Sequence, residues 1–415
     1  MSGGRQDLGA RLLLLAGLLL LAVNLRPAAV SVGPVLAEVR DGLAMSTLTA
    51  GLLTSLPVLA FAGFGALAPQ LARRVGVHRV TLAALLCVAG GLAARAVAPG
   101  PGTFLLLSMV ALAGMAVANV LLPSLVKLHF PDRIGRVTAL YTAALAVGLT
   151  GALTLTVPIA EATSGWRLGL AAWAVLAAFA ALPWLRLIGH DRHLDPGPQD
   201  VTLSEVARTR LGLGMALFFG LQSMHAYAIF GWFAQLWRDE GYSPASAGLL
   251  VGLVAATSVP LSLWLPAAAA RREDQSGILL AVMACYPVAY VGLMLAPHDL
   301  AVVWAVVVGA ATCTFPLILT LIGLRSRTPA GTAALSGFTQ SAGYLLSALG
   351  PFTVGVLYGA TGGWTAPLWF LIALTVPQAL VGWYVARPAY VEDQLRRHHP
   401  GHAHSTNPSG RGGGS

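Results

Sequence analysis

Apolar residues run along this chain in long blocks, and polar residues gather in the short gaps between them. A block of about 18 or more apolar residues with few charges predicts a membrane-crossing helix. Twelve such blocks occur, at roughly 11–36, 47–71, 79–98, 103–127, 137–160, 166–187, 209–236, 245–269, 276–297, 300–324, 332–359 and 365–386. Twelve helices of about 20 to 25 residues take up about 240 to 300 residues. The remainder is shared among eleven short loops and two tails, which leaves no room for a soluble domain. The first block runs about 25 residues without a small-residue cleavage site, so it reads as a span rather than a signal peptide. The fold class expected is an all-α membrane protein of 12 transmembrane helices.

Composition agrees. Hydrophobic residues make up 56% of the chain and charged residues only 10%, with a mean hydropathy of +0.74. A soluble domain carries about 25% charged residues, so an ordinary cytosolic enzyme, a disordered chain and a nucleic-acid binder are excluded. Cys87, Cys285 and Cys313 each lie in an apolar run without Cys-x-x-Cys spacing, and imply neither a disulfide framework nor a zinc site.

The net charge of +9 needs its own explanation, and the loops supply it. With the N-terminus in the cytoplasm, nearly all of the 25 basic residues fall on cytoplasmic segments; the exceptions are Arg40, Arg95, Arg167 and Arg238 at the outer face, and Arg26 inside a span. Positive charge is expected on the inner side, and here it alternates correctly through all twelve spans. Both termini are therefore expected in the cytoplasm of a multi-pass inner (plasma) membrane protein. The basic pI reflects topology and attraction to the inner leaflet, not DNA or RNA as a partner. Trp166, Trp184, Trp237, Trp364 and Trp383 sit near helix ends, as an interfacial belt requires.

A polar stretch at 189–208 with Pro196 and Pro198 divides six helices (1–188) from six (209–388), leaving a disordered cytoplasmic tail at 389–415. The tail ends in Gly410-Arg411-Gly412-Gly413-Gly414-Ser415, which reads as a linker remnant. Its His398, His399, His402 and His404 read as a solvated tail, with weak metal binding as the alternative; no metal and no cofactor are assigned. The halves echo each other. Pro69 precedes Arg73-Arg74 as Pro266 precedes Arg271-Arg272, and Pro123 with Gly135 and Thr138-Ala139-Leu140 matches Pro316 with Gly331 and Ala333-Ala334-Leu335. Two pseudo-symmetric six-helix halves with a midplane site between them are one common architecture of secondary transporters.

A charge at the bilayer centre costs roughly 2.5–3.5 kcal/mol on insertion scales and is a functional hypothesis by default. Arg26 lies about fifteen residues, or about 22 Å, into helix 1, too deep to snorkel easily. Pro27 follows it and is expected to distort the helix and free backbone carbonyls. Arg26 then either clamps those carbonyls or faces a cavity and pairs with an anion. All 16 Asp and Glu residues fall in loops, tails or helix ends, Glu161 coming closest to the membrane. A buried cation without a carboxylate invites an anionic ligand, and its guanidinium fork suits a small linear or planar anion. The same distribution argues against a carrier of cations. In helix 7, Phe218, Gln222, His225, Ile229 and Trp232 share one face. That stripe suits a cavity wall, with interhelical packing as the alternative. His225 is the candidate to carry a coupling proton.

Several segments carry a family resemblance. The turn between helices 2 and 3 reads Gly65-Ala66-Leu67-Ala68-Pro69-Gln70-Leu71-Ala72-Arg73-Arg74-Val75-Gly76-Val77-His78-Arg79. It resembles the loop motif of the major facilitator superfamily in its two glycines and its basic residues, and departs from it at Arg73, where the motif has Asp. Asn24-Leu25-Arg26-Pro27, Ala118-Asn119 through Pro123 to Phe130-Pro131-Asp132-Arg133, Leu221-Gln222-Ser223, and Leu335-Ser336-Gly337 through Gln340-Ser341 to Gly343-Tyr344 are similar to its cyanate/2-nitroimidazole transporter branch. The resemblance implies the major facilitator fold, with helices 1, 4, 7 and 10 lining the path and 5, 8 and 11 adding to it. It favours Asn119, Gln340 and Tyr344, which join Arg26, Asn24, Tyr141, Gln222 and His225 as the expected substrate-binding residues, and it implies Gly65, Arg73, Arg74, Gly76 and Arg79 as the gating loop. Asn24 equally suits capping of the break at Pro27, and Tyr286 and Tyr290 suit packing.

The function expected is secondary active transport, not enzymatic catalysis. A monomer carries a small anion or small polar planar solute, cyanate by the resemblance, by alternating access. The alternative is efflux of neutral 2-nitroimidazole-like compounds.

Overall fold

The computed structural model describes residues 3–130, 133–163, 165–188 and 202–398. Twelve helices in it are long and apolar enough to cross a membrane. They are α1 (Arg11–Gly42), α2 (Thr47–Ala72), α3 (Val77–Ala96), α4 (Pro101–Val126), α5 (Leu140–Ala162), α6 (Trp166–Leu187), α7 (Arg210–Asp239), α8 (Pro244–Ala270), α9 (Ser276–Leu295), α10 (Ala301–Leu324), α11 (Gly331–Thr361) and α12 (Thr365–Ala386). Large apolar side chains such as Leu86, Leu106, Phe179, Leu295, Trp369 and Leu380 are exposed on the outside of the bundle. On a soluble protein such a belt would be a liability; in a bilayer it is the solvent-facing surface.

Proline sets where the helices break. In α1 the regular helix ends at Asn24, Arg26 sits in the turn, and the chain resumes as a short helix from Pro27 and a tight turn at Gly33–Val35. Pro27 has no N–H for the carbonyl four residues back, that of Val23. Gly148 of α5 packs against this carbonyl so closely that a Cβ would overlap it. Asn24 closes the other side: its Nδ2 donates to the Leu20 carbonyl (2.8 Å) and to the Leu176 carbonyl of α6 (3.3 Å). The helices α9, α10 and α11 are interrupted just before Pro287, Pro316 and Pro351. By contrast α7 has no proline and runs unbroken for 30 residues.

The halves meet mainly where α2 lies along α11 and α5 along α8. The face that holds the start of α1, the end of α12 and the segment joining the halves is called the terminal face below, and the opposite one the far face. On the far face the halves are tied together. Arg238 of α7 pairs with Glu38 of α1 at 2.7 Å. Trp232 Nε1 donates to Thr54 Oγ1 of α2 and to the Pro351 carbonyl, each at 3.0 Å. Ser55 Oγ of α2 donates to the Ala348 carbonyl of α11 at 2.9 Å. Within the second half, Asp239 accepts from Tyr358 (2.7 Å) and Trp364 (2.8 Å).

The reading of 389–415 as a disordered tail is corrected over part of its length. Val391–His398 forms a helix, α13, against the terminal ends of α7 and α11. Glu392 accepts from the backbone of Arg327 and Thr328 (2.9 and 3.0 Å), and Gln394 accepts from the N–H of Leu211 (3.0 Å). The freed N–H groups of two helix starts recruit it. His399, His402, His404, the linker remnant and 189–201 lie outside the described residues.

Candidate functional site

Between the halves a cavity of about 310 Å³ occupies the terminal-face side of the bundle. Its walls are Arg26, then Asn119 and Pro123 of α4, Tyr141 and Leu145 of α5, Ser262 of α8, Leu319 of α10, and Gln340 with Tyr344 of α11. A second lobe of about 150 Å³ continues it toward the middle of the bundle. The lobes share Arg26, Leu149, Ser258, Thr312, Phe315 and Tyr344, and the inner one adds Ser223, Tyr227 and Phe230 of α7. Arg26 stands where the two lobes join.

Among the described residues the Arg26 guanidinium makes no hydrogen bond and no ion pair, although it is half-buried. Tyr227 and Tyr344 line the same inner lobe as Arg26. Ser223 Oγ is buried without a hydrogen-bond partner. No Asp or Glu lines either lobe. The inner lobe therefore presents one positive charge and the hydroxyls of Ser223, Tyr227 and Tyr344, held between the rings of Tyr227, Phe230, Phe315 and Tyr344, while the Ser258 and Thr312 hydroxyls donate to their own helices. Tyr344 is itself locked by stacking on Phe61 of α2 (4.8 Å) and by an edge contact with Phe219 (4.9 Å). Such a set can take an acceptor-rich, negatively charged or strongly dipolar solute with a flat face.

Of the eight residues expected to bind substrate, the structure brings Arg26, Asn119, Tyr141, Gln340 and Tyr344 to the cavity. Gln340 Nε2 donates to Ser336 Oγ at 2.8 Å, which turns its carbonyl oxygen free of that bond. The other three lie elsewhere. Asn24 is buried and holds the α1 break to α6. Gln222 and His225 sit on the opposite side of α7 from Ser223, Tyr227 and Phe230. Gln222 donates to Tyr286 OH at 2.9 Å and accepts from Gln378 at 2.8 Å, and His225 Nδ1 meets Tyr290 OH at 2.9 Å. His225 is stacked on Tyr286 at 4.4 Å. The whole group is fully buried between α7, α9 and α12. Both faces of α7 carry polar and aromatic residues at helical spacing, so periodicity had no means of choosing between them.

Of the expected gating loop, Gly65 lies inside α2, where it closes a wide helical turn at Phe61–Gly65, and Gly76, after α2, has φ +103°, a conformation that needs glycine. Arg74 and Arg79 are exposed, whereas the side chain of Arg73 lies outside the described residues. The sequence gives no sign of a second buried cation, but Arg95, expected at an outer helix end, is wholly buried in the last turn of α3.

Comparison with known proteins follows the same line. The family model described as Major Facilitator Superfamily matches residues 12–351. The chain is 36% identical over 386 residues to the "2-nitroimidazole transporter" of Escherichia coli (strain K12), covering 90% of this chain and 95% of that one. It is 29% identical over 364 residues to the "Cyanate transport protein CynX" of the same organism, covering 86% and 93%. Among solved structures, a bacterial homolog of the human lysosomal transporter Spinster, in an inward-facing and unoccupied conformation, superposes with a TM-score of 0.73 at 16% identity, covering 93% of this chain and 98% of that one.

Proposed function

The chain belongs to the major facilitator superfamily, and from that premise we propose that it is a secondary transporter of a small, planar anion, cyanate-like in size and charge, with Arg26 as the anion-binding residue. One observation carries this reading. A half-buried guanidinium without a hydrogen bond or ion pair among the described residues faces a cavity that holds the hydroxyls of Ser223, Tyr227 and Tyr344 and whose lining has no carboxylate. Burying an unpaired charge is costly, and an anion between Arg26, Tyr227 and Tyr344 removes that cost while Phe315 and Phe230 cover its faces.

Access alternates about this site. The far face is closed by Arg238–Glu38 and the Trp232 bonds, while the large lobe lies on the terminal-face side. With the termini in the cytoplasm of the plasma membrane, as the distribution of basic residues argues, this is the state that faces inward. Moving one anion inward against a negative interior costs about 2.3 kcal/mol per 100 mV, so net uptake requires a co-transported proton, an exchanged anion or rapid consumption of the substrate.

A second reading has support of its own: the inner lobe of about 150 Å³ has four aromatic walls, and a cavity of about this size accepts a benzene-sized ring. A neutral nitroimidazole would stack there and offer its nitro oxygens to Arg26. Thermal stabilisation and vesicle uptake with cyanate, nitrate, short carboxylates and 2-nitroimidazole, in wild type and Arg26→Ala, decide between the two. Stabilisation by an anion that disappears in Arg26→Ala supports the first. Transport of the neutral ring alone, undiminished in Arg26→Ala, overturns it.

A further inference from the structure

Above the partition formed by Ala29, Val30, Tyr227 and Phe230, on the far-face side of Arg26, lies a small separate cavity of about 20 Å³. It is walled by α1 (Val32, Gly33), α2 (Thr54, Pro57), α3 (Arg95), α4 (Ser108) and α7 (Gly231), and thus lies on the interface between the halves. Its polar edge is Arg95 and Ser108.

Arg95 is fully buried, and no carboxylate pairs with it among the described residues. One guanidinium nitrogen donates to Ser31 Oγ at 3.0 Å and another to the Ala28 carbonyl at 3.3 Å. Its Nε, and Ser108 Oγ, are both buried without a partner. The end of α3 is pinned in place by Arg167, which donates to the carbonyls of Ala96 (2.8 Å) and Ala98 (3.0 Å). Neutral acceptors orient Arg95, with the Phe104 ring 5.9 Å from its guanidinium carbon, and no carboxylate compensates its charge; the Ala28 carbonyl and Ser31 that hold it lie two and five positions along α1 from Arg26. Two buried cations on one path, with no acid between them, are costly unless a mobile anion visits them.

The wall that seals this cavity belongs to the moving half. Gly231 packs on Thr54, and Gly33 packs on the Phe230 carbonyl so tightly that a Cβ would overlap it. Rocking the halves apart at the far face withdraws Phe230 and Gly231 and lays Arg95 and Ser108 open to that side. In the closed state the space holds about one water molecule, too little for a polyatomic anion.

We propose that Arg95 and Ser108 form a second anion-binding station, which receives the small transported anion when the far face is open and is squeezed empty as it closes, passing the anion to Arg26. This rests on the anion reading above and extends it to a two-station path. The test measures half-saturation for cyanate and nitrate separately from each face, in right-side-out and inverted membrane vesicles carrying the full chain. Loss of a charge-assisted hydrogen bond predicts a rise of roughly ten- to a hundredfold in KM at the far face for Arg95→Gln, with KM at the terminal face changed less than about twofold. Arg95→Lys should recover part of the loss. Ser108→Ala, which leaves the bonds to Ser31 and Ala28 untouched, should raise only the far-face KM and covers the case in which Arg95→Gln fails to fold. Equal changes at both faces, or an unchanged far-face KM in Ser108→Ala and Arg95→Lys, would reduce Arg95 to a brace for the α1 bend and overturn the proposal. A wild type that carries no anion from either face would overturn the anion reading itself and this station with it.

Discussion

The first helices of the two halves make an instructive pair. In α1, Pro27 breaks the helix and the turn places a cation at the junction of two cavity lobes, without a partner. In α7 the helix is continuous, and its amide and imidazole are turned away from the cavity into a layer where Gln222, Gln378, Tyr286, His225 and Tyr290 bond one another. The first region stores unsatisfied polarity that a ligand can use. The second bonds most of its polar atoms internally, leaving His225 Nε2 and Gln378 Oε1 without a partner in a layer turned away from the cavity, and α7 presents to the cavity Ser223, Ala226, Tyr227 and Phe230. Buried polar groups are therefore a poor index of a binding site unless their partners are known. The cavity draws its charge from one half and its aromatic wall mostly from the other, so a solute held there reports on how the halves sit relative to each other.

This contrast is open to direct attack. The largest effect is expected at Arg26. Charged hydrogen bonds contribute about 1.5–3 kcal/mol each, so Arg26→Ala should lower kcat/KM for the anion by roughly a hundredfold or more in vesicle uptake, with Arg26→Lys in between because it lacks the planar fork. Uptake within a factor of two of wild type would remove the anion site.

Next comes the sealed layer. Gln222→Leu strands Tyr286 OH and the Gln378 amide, which should destabilise the protein by about 1–3 kcal/mol and lower the thermal unfolding midpoint in detergent while leaving substrate KM alone. A tenfold rise in KM at unchanged Tm would place Gln222 in the path and erase the contrast. His225→Gln extends the same test to coupling: a sealed His225 predicts a pH–rate profile of unchanged shape, and a flattened profile would make it the proton carrier.

A smaller effect belongs to the aromatic wall. Tyr344→Phe keeps the stack on Phe61 and removes one donor, a loss of about 0.5–1.5 kcal/mol, read as a KM rise of roughly three- to tenfold. An unaffected KM would leave Tyr344 as packing alone. The smallest effect is at the far-face tie. Arg238 and Glu38 are 19% and 35% exposed, so the pair is worth only about 0.2–1 kcal/mol. Glu38→Gln should shift the balance of states modestly toward the far-open one, seen as faster labelling of a cysteine placed at Ser31 by a reagent added from that side. Unchanged labelling would show that the Trp232–Thr54 bond holds the face shut without it.

Much of this was legible in the chain. Twelve spans, their division into halves and the depth of Arg26 follow from block length and charge placement alone, because a bilayer admits few other solutions. Five of the eight expected binding residues line the cavity for a related reason: polar groups at depth are rare enough to stand out. The differences in facing share one physical cause. A side chain's depth is set by its position along a helix, which the sequence states, but its facing is set by which neighbour the helix packs against, which it does not. Hence the spacing along α7 points to Gln222 and His225, while the wall is formed by Ser223, Tyr227 and Phe230, and nothing in the spacing singles out Ser258 and Phe315.

Arg95 and α13 show the same division. The sequence by itself determined that a cation stands at the end of α3 and that a polar segment follows α12. Only the packing of α1, α3 and α4 decided that Arg95 is buried against a broken helix rather than set in solvent, since the Ala28 carbonyl and Ser31 that orient it come from residues more than sixty positions away. Likewise, only the exposed N–H groups at the starts of α7 and α11 decided that Glu392 and Gln394 would anchor a helix where the sequence reads as tail. Local composition determines which groups must be buried or solvated; the tertiary arrangement decides which partner each one meets.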